Sequence, residues 1–440
     1  MMRPPFFTAA ALWQSLQQPL PHWLARARPA FLRYGWLLPA LFPLALIAGR
    51  GAFHSLFYLY IFWALLASPG LPAPRTARRT LALLLLPLLC YLPGVLMAAD
   101  LARALELWST AMLYTCVAAI TACLLAQSPE RLEQWLKAMA LGALLALLAA
   151  WLRLGKHLAL NPDFVPRLDL RSVDLAFCLP LLLVGLGARW AGPWRWLNQR
   201  WLVFGAMLAL SLYVIVADER SVMVATGMAW FGLCVMVFRP QWMRRGLRLL
   251  AGCVALALCA LLLIGLSSET LFAGLDATSS LRLSLWRQAL THPPADLLFG
   301  VGMGNVQHAS AVVLEHQSVR HLHNIWLDAW FDTGFVGLLG LLAMLTGFFA
   351  LTARAWPALS VAQRRLAGLL LSAALAVLAQ SQFSISYASR EFGMYALTSL
   401  AVLMHVIGPS RADLNPNATP GSGAPFSAPA SPEPSPSSTA

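Results

Sequence analysis

The chain has 440 residues, of which 59% are hydrophobic and only 11% charged, and its formal net charge is +13. A soluble protein of this length cannot be that apolar, so a soluble multidomain enzyme is excluded and a polytopic membrane protein is expected. The positive charge does not imply nucleic acid as a partner, because its placement along the chain follows a membrane rule.

Residues 1–33 hold one short apolar piece, Phe6 to Leu12, too brief to span and lacking a small-residue cleavage site after it. It predicts a cytoplasmic or interfacial segment rather than a signal peptide. From 34 to 408, apolar runs long enough to cross the hydrocarbon core recur about twelve times. Their spans are 34–49, 51–69, 80–98, 104–126, 132–153, 172–188, 201–217, 221–238, 249–266, 335–353, 366–383 and 391–408, and the first two could form one bent hairpin. The fold class expected is all-α, a polytopic transmembrane helical bundle.

An even number of spans puts both termini on one side. Loops on that side, including Arg75, Arg78, Arg79, Arg239, Arg244 and Arg245, carry about 20 of the Lys and Arg residues, so both termini are assigned to the cytoplasm. The stretch 409–440 is dominated by Pro, Ser, Ala and Gly and predicts a disordered cytoplasmic tail. All seven cysteines fall inside apolar runs, where they read as packing residues.

Two outer segments exceed a turn: 154–171, with Lys156, His157, Arg167 and Arg171, and the large loop 267–322. Within the second, Leu281 to Leu290 has the spacing of a short amphipathic helix on the membrane surface, anchored by Trp286 and ended by Thr291-His292-Pro293-Pro294. Gly300-Val301-Gly302-Met303-Gly304 has no βαβ unit around it and reads as a tight turn, not a nucleotide loop.

The cations left on the outer face are Arg50, Arg103, Arg153, Lys156, Arg167, Arg171, Arg220, Arg282, Arg287, Arg320 and Arg390. Almost all are arginine, whose planar fork matches phosphate oxygens in pairs. Arg220 lies at the start of a span, where the helix dipole disfavours a cation unless an anion compensates; Asp218 or Glu219 could do so structurally. Arg282 and Arg287 are about 140° apart on one helix, and Arg282 is favoured for the cavity side. His321 and His323 alternate along the chain, but zinc would need a third ligand and no cysteine is near. A neutral imidazole that takes a proton from a hydroxyl suits His323 better, with a structural cap as the alternative.

His323-Asn324, nine residues, then Gly334-X-X-Gly337 at the mouth of a span, with Arg220 at an earlier outer turn, resembles the bacterial O-antigen ligases. Arg282-X-X-X-Trp286, followed by Pro294 and the glycine cluster, is similar to the region these share with O-antigen polymerases and related membrane oligosaccharyltransferases. The resemblance covers about residues 200 to 400. It implies a GT-C-like architecture in the bacterial inner membrane, with a large periplasmic loop containing short helices and an active site on the periplasmic face. It implies a metal-independent inverting transfer without cofactors, from an undecaprenyl-pyrophosphate-linked glycan to the lipid A–core oligosaccharide. Carried onto this chain, His323 would act on the acceptor hydroxyl and Arg220 and Arg282 would hold the pyrophosphate. Arg287, Asn324, His321 and Arg390 would bind substrate. The alternatives are an O-antigen polymerase or related lipid-linked oligosaccharide transferase and, from another class, a transporter, which would place ionisable residues inside the spans.

Overall fold

The structure is a computed structural model and describes residues 22–48, 50–67, 75–126, 129–160, 200–216, 220–233, 281–308, 313–314, 317–319, 321–382, 387, 389 and 392–408. The helices among them are α1 (His22–Tyr34), α2 (Leu37–Ala40), α3 (Phe42–Ala48), α4 (Arg50–Ala67), α5 (Arg75–Leu96), α6 (Leu101–Leu125), α7 (Pro129–Leu160), α8 (Arg200–Val216), α9 (Arg220–Leu233), α10 (Arg282–Thr291), α11 (Ile325–Ala355), α12 (Val361–Gln380) and α13 (Thr398–Ile407). A π-helical turn, Phe392–Leu397, leads into α13. Strand structure among these residues is a two-residue antiparallel ladder, β1 (Val313–Leu314) with β2 (Gln317–Ser318).

Five of the described helices are long and apolar enough to cross a bilayer: Ala77–Leu96, Leu101–Leu125, Glu130–Leu160, Ile325–Ala358 and Val361–Gln380. The expected spans 172–188 and 249–266 and the tail 409–440 lie outside the described residues. The figure of twelve spans and the GT-C-like arrangement therefore rest on the sequence and the resemblance. The expected span 34–49 is divided between α2 and α3, which contain Pro39 and Pro43; a proline withholds the N–H a continuous helix needs. Helix α7 runs on to Leu160, so Lys156 and His157 ride on its last turns, not on a loop.

Two packed layers position the site. Helix α11 lies along α5, and α5 along α6, where the Trp108 indole donates to Leu88 O at 2.9 Å. Helix α12 is held between α9 and α13, and α13 returns to α6. Close approach of α11 to α5 depends on small residues, as in many membrane helix pairs: a β-carbon at Gly340 would sit 2.6 Å from Cys90 Cβ.

The largest departure from expectation is in α11. It begins at Ile325, ten residues before the expected start at 335, and is interrupted at Gly334, with φ 64° and ψ −167°. That backbone region is essentially restricted to glycine. The interruption frees backbone groups, and in lipid every such group must find a partner. The segment 297–302 supplies them: Val301 N–H donates to Phe331 O at 3.0 Å and Gly302 N–H to Asp332 O at 2.7 Å. In return Leu297 O accepts from Phe335 N–H at 2.8 Å and Leu298 O from Val336 N–H at 3.2 Å. The glycine cluster is thus a splint docked on α11; a β-carbon at Gly300 would lie 2.6 Å from Asp332 C. The earlier start also brings Asp328 and Asp332 into the helix.

Candidate active site

His321-Leu322-His323-Asn324 leads into α11, and its backbone is fixed from both sides. Leu322 N–H donates to Asp328 Oδ1 at 2.6 Å, and Leu322 O accepts from the Trp286 indole of α10 at 2.9 Å. Trp286, expected as a membrane anchor, is half-buried and holds this segment instead. Asn324 is the N-cap of α11: its Oδ1 accepts from Trp326 N–H at 3.0 Å and Leu327 N–H at 3.1 Å, satisfying donors that every helix start leaves open. Its Nδ2 donates to Gln382 O at 3.3 Å, and Ile325 N–H donates to Ser381 O at 2.9 Å, tying the cap to the end of α12. The Asn324 oxygen and one of its N–H groups are thus engaged with backbone.

Between these ties His323 adopts a left-handed backbone, φ 56°. A side chain with a β-carbon costs of order 1–3 kcal/mol there. The rings of His321 and His323 lie 3.9 Å apart, centre to centre, and each Nδ1 is buried without a hydrogen-bond partner. Burial, the neighbouring His321 and the Arg282 charge push the pKa of His323 down to about 3; burial and Arg282 also lower that of His321. Both imidazoles are accordingly held neutral at pH 7.

Between about pH 3 and 6.5 the unfolded chain protonates His323 and the native one resists, so the unfolded state binds more protons and stability rises with pH across that window. The melting temperature is expected to fall as pH is lowered below 6.5, and to fall less steeply in His323→Gln. Parallel curves for the two proteins would show that His323 is not held neutral by its surroundings.

Arg282 opens α10 after Leu281, which is itself left-handed at φ 60°. Its charge acts on both histidines, whereas Arg287 is exposed; this is the separation expected of residues five apart. Of Arg220 the structure describes the backbone, at the first position of α9. At the α6 start Asp100 N–H donates to Asn305 Oδ1 at 2.8 Å. Trp151, in the second half of α7, lies against Tyr213 near the end of α8, 5.7 Å between ring centres. Arg220 follows shortly after in the chain, at the start of the next helix. Arg390 lies outside the described residues.

Beside His321 is a cavity of about 140 Å³ whose lining includes Tyr91, Arg103, Asp328, Asp332 and Tyr387. Of these only Arg103 was singled out from sequence, and then merely as one outer cation. The others come from segments far apart in the chain. The acids left one readable signal: two carboxyls four residues apart share a helix face.

Residues 204–342 match the family model described as O-antigen ligase. The match takes in Arg220, Arg282, both histidines and the interrupted first half of α11, and leaves out Tyr91, Arg103 and Tyr387. No match was found among curated proteins.

Proposed function

We propose that this chain, a multi-pass membrane protein carrying the O-antigen ligase family region over residues 204–342, is an O-antigen ligase. It would move polysaccharide from undecaprenyl pyrophosphate to the lipid A–core oligosaccharide on the periplasmic face of the inner membrane. The observation that carries this reading is the pair of neutral imidazoles, one in a strained conformation, set beside Arg282 and a partly enclosed cavity.

The chemistry those groups support is a single displacement. The acceptor hydroxyl oxygen bonds to the anomeric carbon as the bond from that carbon to the pyrophosphate oxygen breaks, inverting the configuration. The hydroxyl proton passes to the His321–His323 pair, with His323 as the residue whose conformation is strained for the purpose. The departing pyrophosphate gathers negative charge, which Arg282 and Arg220 would offset; charge stabilisation of this kind is commonly the largest catalytic contribution.

The test is reconstitution of the purified protein with undecaprenyl-pyrophosphate-linked glycan, offering lipid A–core and free lipid-linked glycan in parallel. Product on lipid A–core is expected; elongated lipid-linked glycan would make the chain a polymerase, and no product with either would remove the transferase reading. Arg220→Ala is expected to abolish product. In the same assay Arg282→Lys is expected to lose most activity, because an ammonium cannot reproduce the guanidinium fork. A fully active Arg282→Lys would take that residue out of pyrophosphate binding.

A further inference from the structure

We infer that the cavity beside the histidines is a subsite for an uncharged, hydroxyl-bearing sugar ring, selected by Asp328, Asp332 and Tyr91. Asp328 is 3% exposed and Tyr91 1% exposed. Asp328 uses Oδ1 to accept from Leu322 N–H, and its Oδ2 is buried without a hydrogen-bond partner. Asp332 uses Oδ2 to accept from Gly304 N–H at 3.0 Å, and its Oδ1 is likewise buried without one. The Tyr91 hydroxyl is in the same condition. Each of these residues lines the same cavity.

Buried polar atoms without partners are costly and uncommon, so three of them on residues that line one cavity call for an occupant that completes them. A sugar ring does so: its hydroxyls donate to the open carboxyl oxygens, and another accepts from the phenol. A phosphate does not, because its oxygens would face carboxyl oxygens. The cation in the lining, Arg103, already holds Glu106 at 2.7 Å. The edge-to-face rings of Tyr91 and Tyr387, 5.3 Å between centres, give an apolar wall for the C–H face of a ring. The arrangement separates two chemistries, with the diphosphate toward Arg282 and an uncharged ring toward the acids. Identifying that ring as the incoming acceptor rests on the ligase reading; the binding of a neutral sugar does not.

The experiment uses the full-length protein in lipid nanodiscs, without donor lipid, and observes methyl α-D-glucopyranoside by saturation-transfer NMR with glucose 6-phosphate as competitor. Saturable binding of the glycoside is expected, with the phosphorylated sugar competing poorly. Asp332→Asn keeps an oxygen for Gly304 N–H but turns the open oxygen into a donor, and is expected to weaken binding roughly tenfold or more. Tyr91→Phe removes one hydroxyl from a packed ring and is expected to weaken it several-fold. No saturable binding, binding by both variants as strong as by the unaltered protein, or competition by glucose 6-phosphate as strong as by the neutral glycoside would each overturn the assignment. With the donor left out, failed transfer in the reconstitution assay and failed sugar binding here are separate results.

Discussion

His323→Ala is expected to lower glycan transfer by about 10²–10⁴-fold, the usual contribution of a positioned acid–base group, while the protein stays folded in the membrane. The side chain is not needed to cap α11, since Asn324 does that, nor to hold the loop, since Asp328 and Trp286 grip Leu322 on either side. The backbone strain stays, because alanine keeps the β-carbon at φ 56°, while the substitution removes a buried ring nitrogen that has no hydrogen-bond partner. Loss of activity with an unchanged or raised melting temperature is therefore the signature to look for. The comparison that matters is His321→Ala, whose ring borders the cavity. Wild-type transfer by the His323 variant together with inactivity of the His321 variant would move the proton-accepting role by two residues.

The second large effect is expected at Gly334→Ala. Alanine resists φ 64° with ψ −167°, and its β-carbon would run into the Leu298 carbonyl. Either the helix straightens or the segment 297–302 detaches, and both leave buried amides and carbonyls unmatched. The expected cost is about 3 kcal/mol or more. Hydrogen exchange should report it directly: amides of Val301, Gly302, Phe335 and Val336, protected in the wild type by bonds across the break, should exchange faster in the variant. Unchanged protection and an unchanged melting temperature would mean that alanine tolerates the interruption.

Sequence reading worked where one local rule acted alone. The helix expected over 281–290 is found at Arg282–Thr291, because apolar spacing and the following prolines define it without outside help. Arg282 and Arg287, five apart on that helix, differ in exposure, Arg287 being exposed and Arg282 half-buried, as angular position on a helix follows from residue number. Sequence reading missed the start of α11 because Asp328, Asp332 and Thr333 lower the hydropathy of the first turns below that of a span. Asn324 followed by an apolar run would have marked the earlier start as an N-cap. Asn324, expected to bind substrate, also caps α11. The cavity was beyond sequence reading for another reason. Tyr91 comes from α5, Arg103 from α6 and Tyr387 from beyond α12, and only packing brings them to Asp328 and Asp332. The family match, confined to 204–342, leaves those three outside as well.

The splint across the Gly334 break has a further consequence for how the molecule is made. Residues 297–302 leave the ribosome before 331–336, so a nascent chain already carries the segment that will complete the broken helix when that helix is still being synthesised. The interrupted turn can thus be sealed as soon as it emerges, and naked amides are not delivered to the lipid.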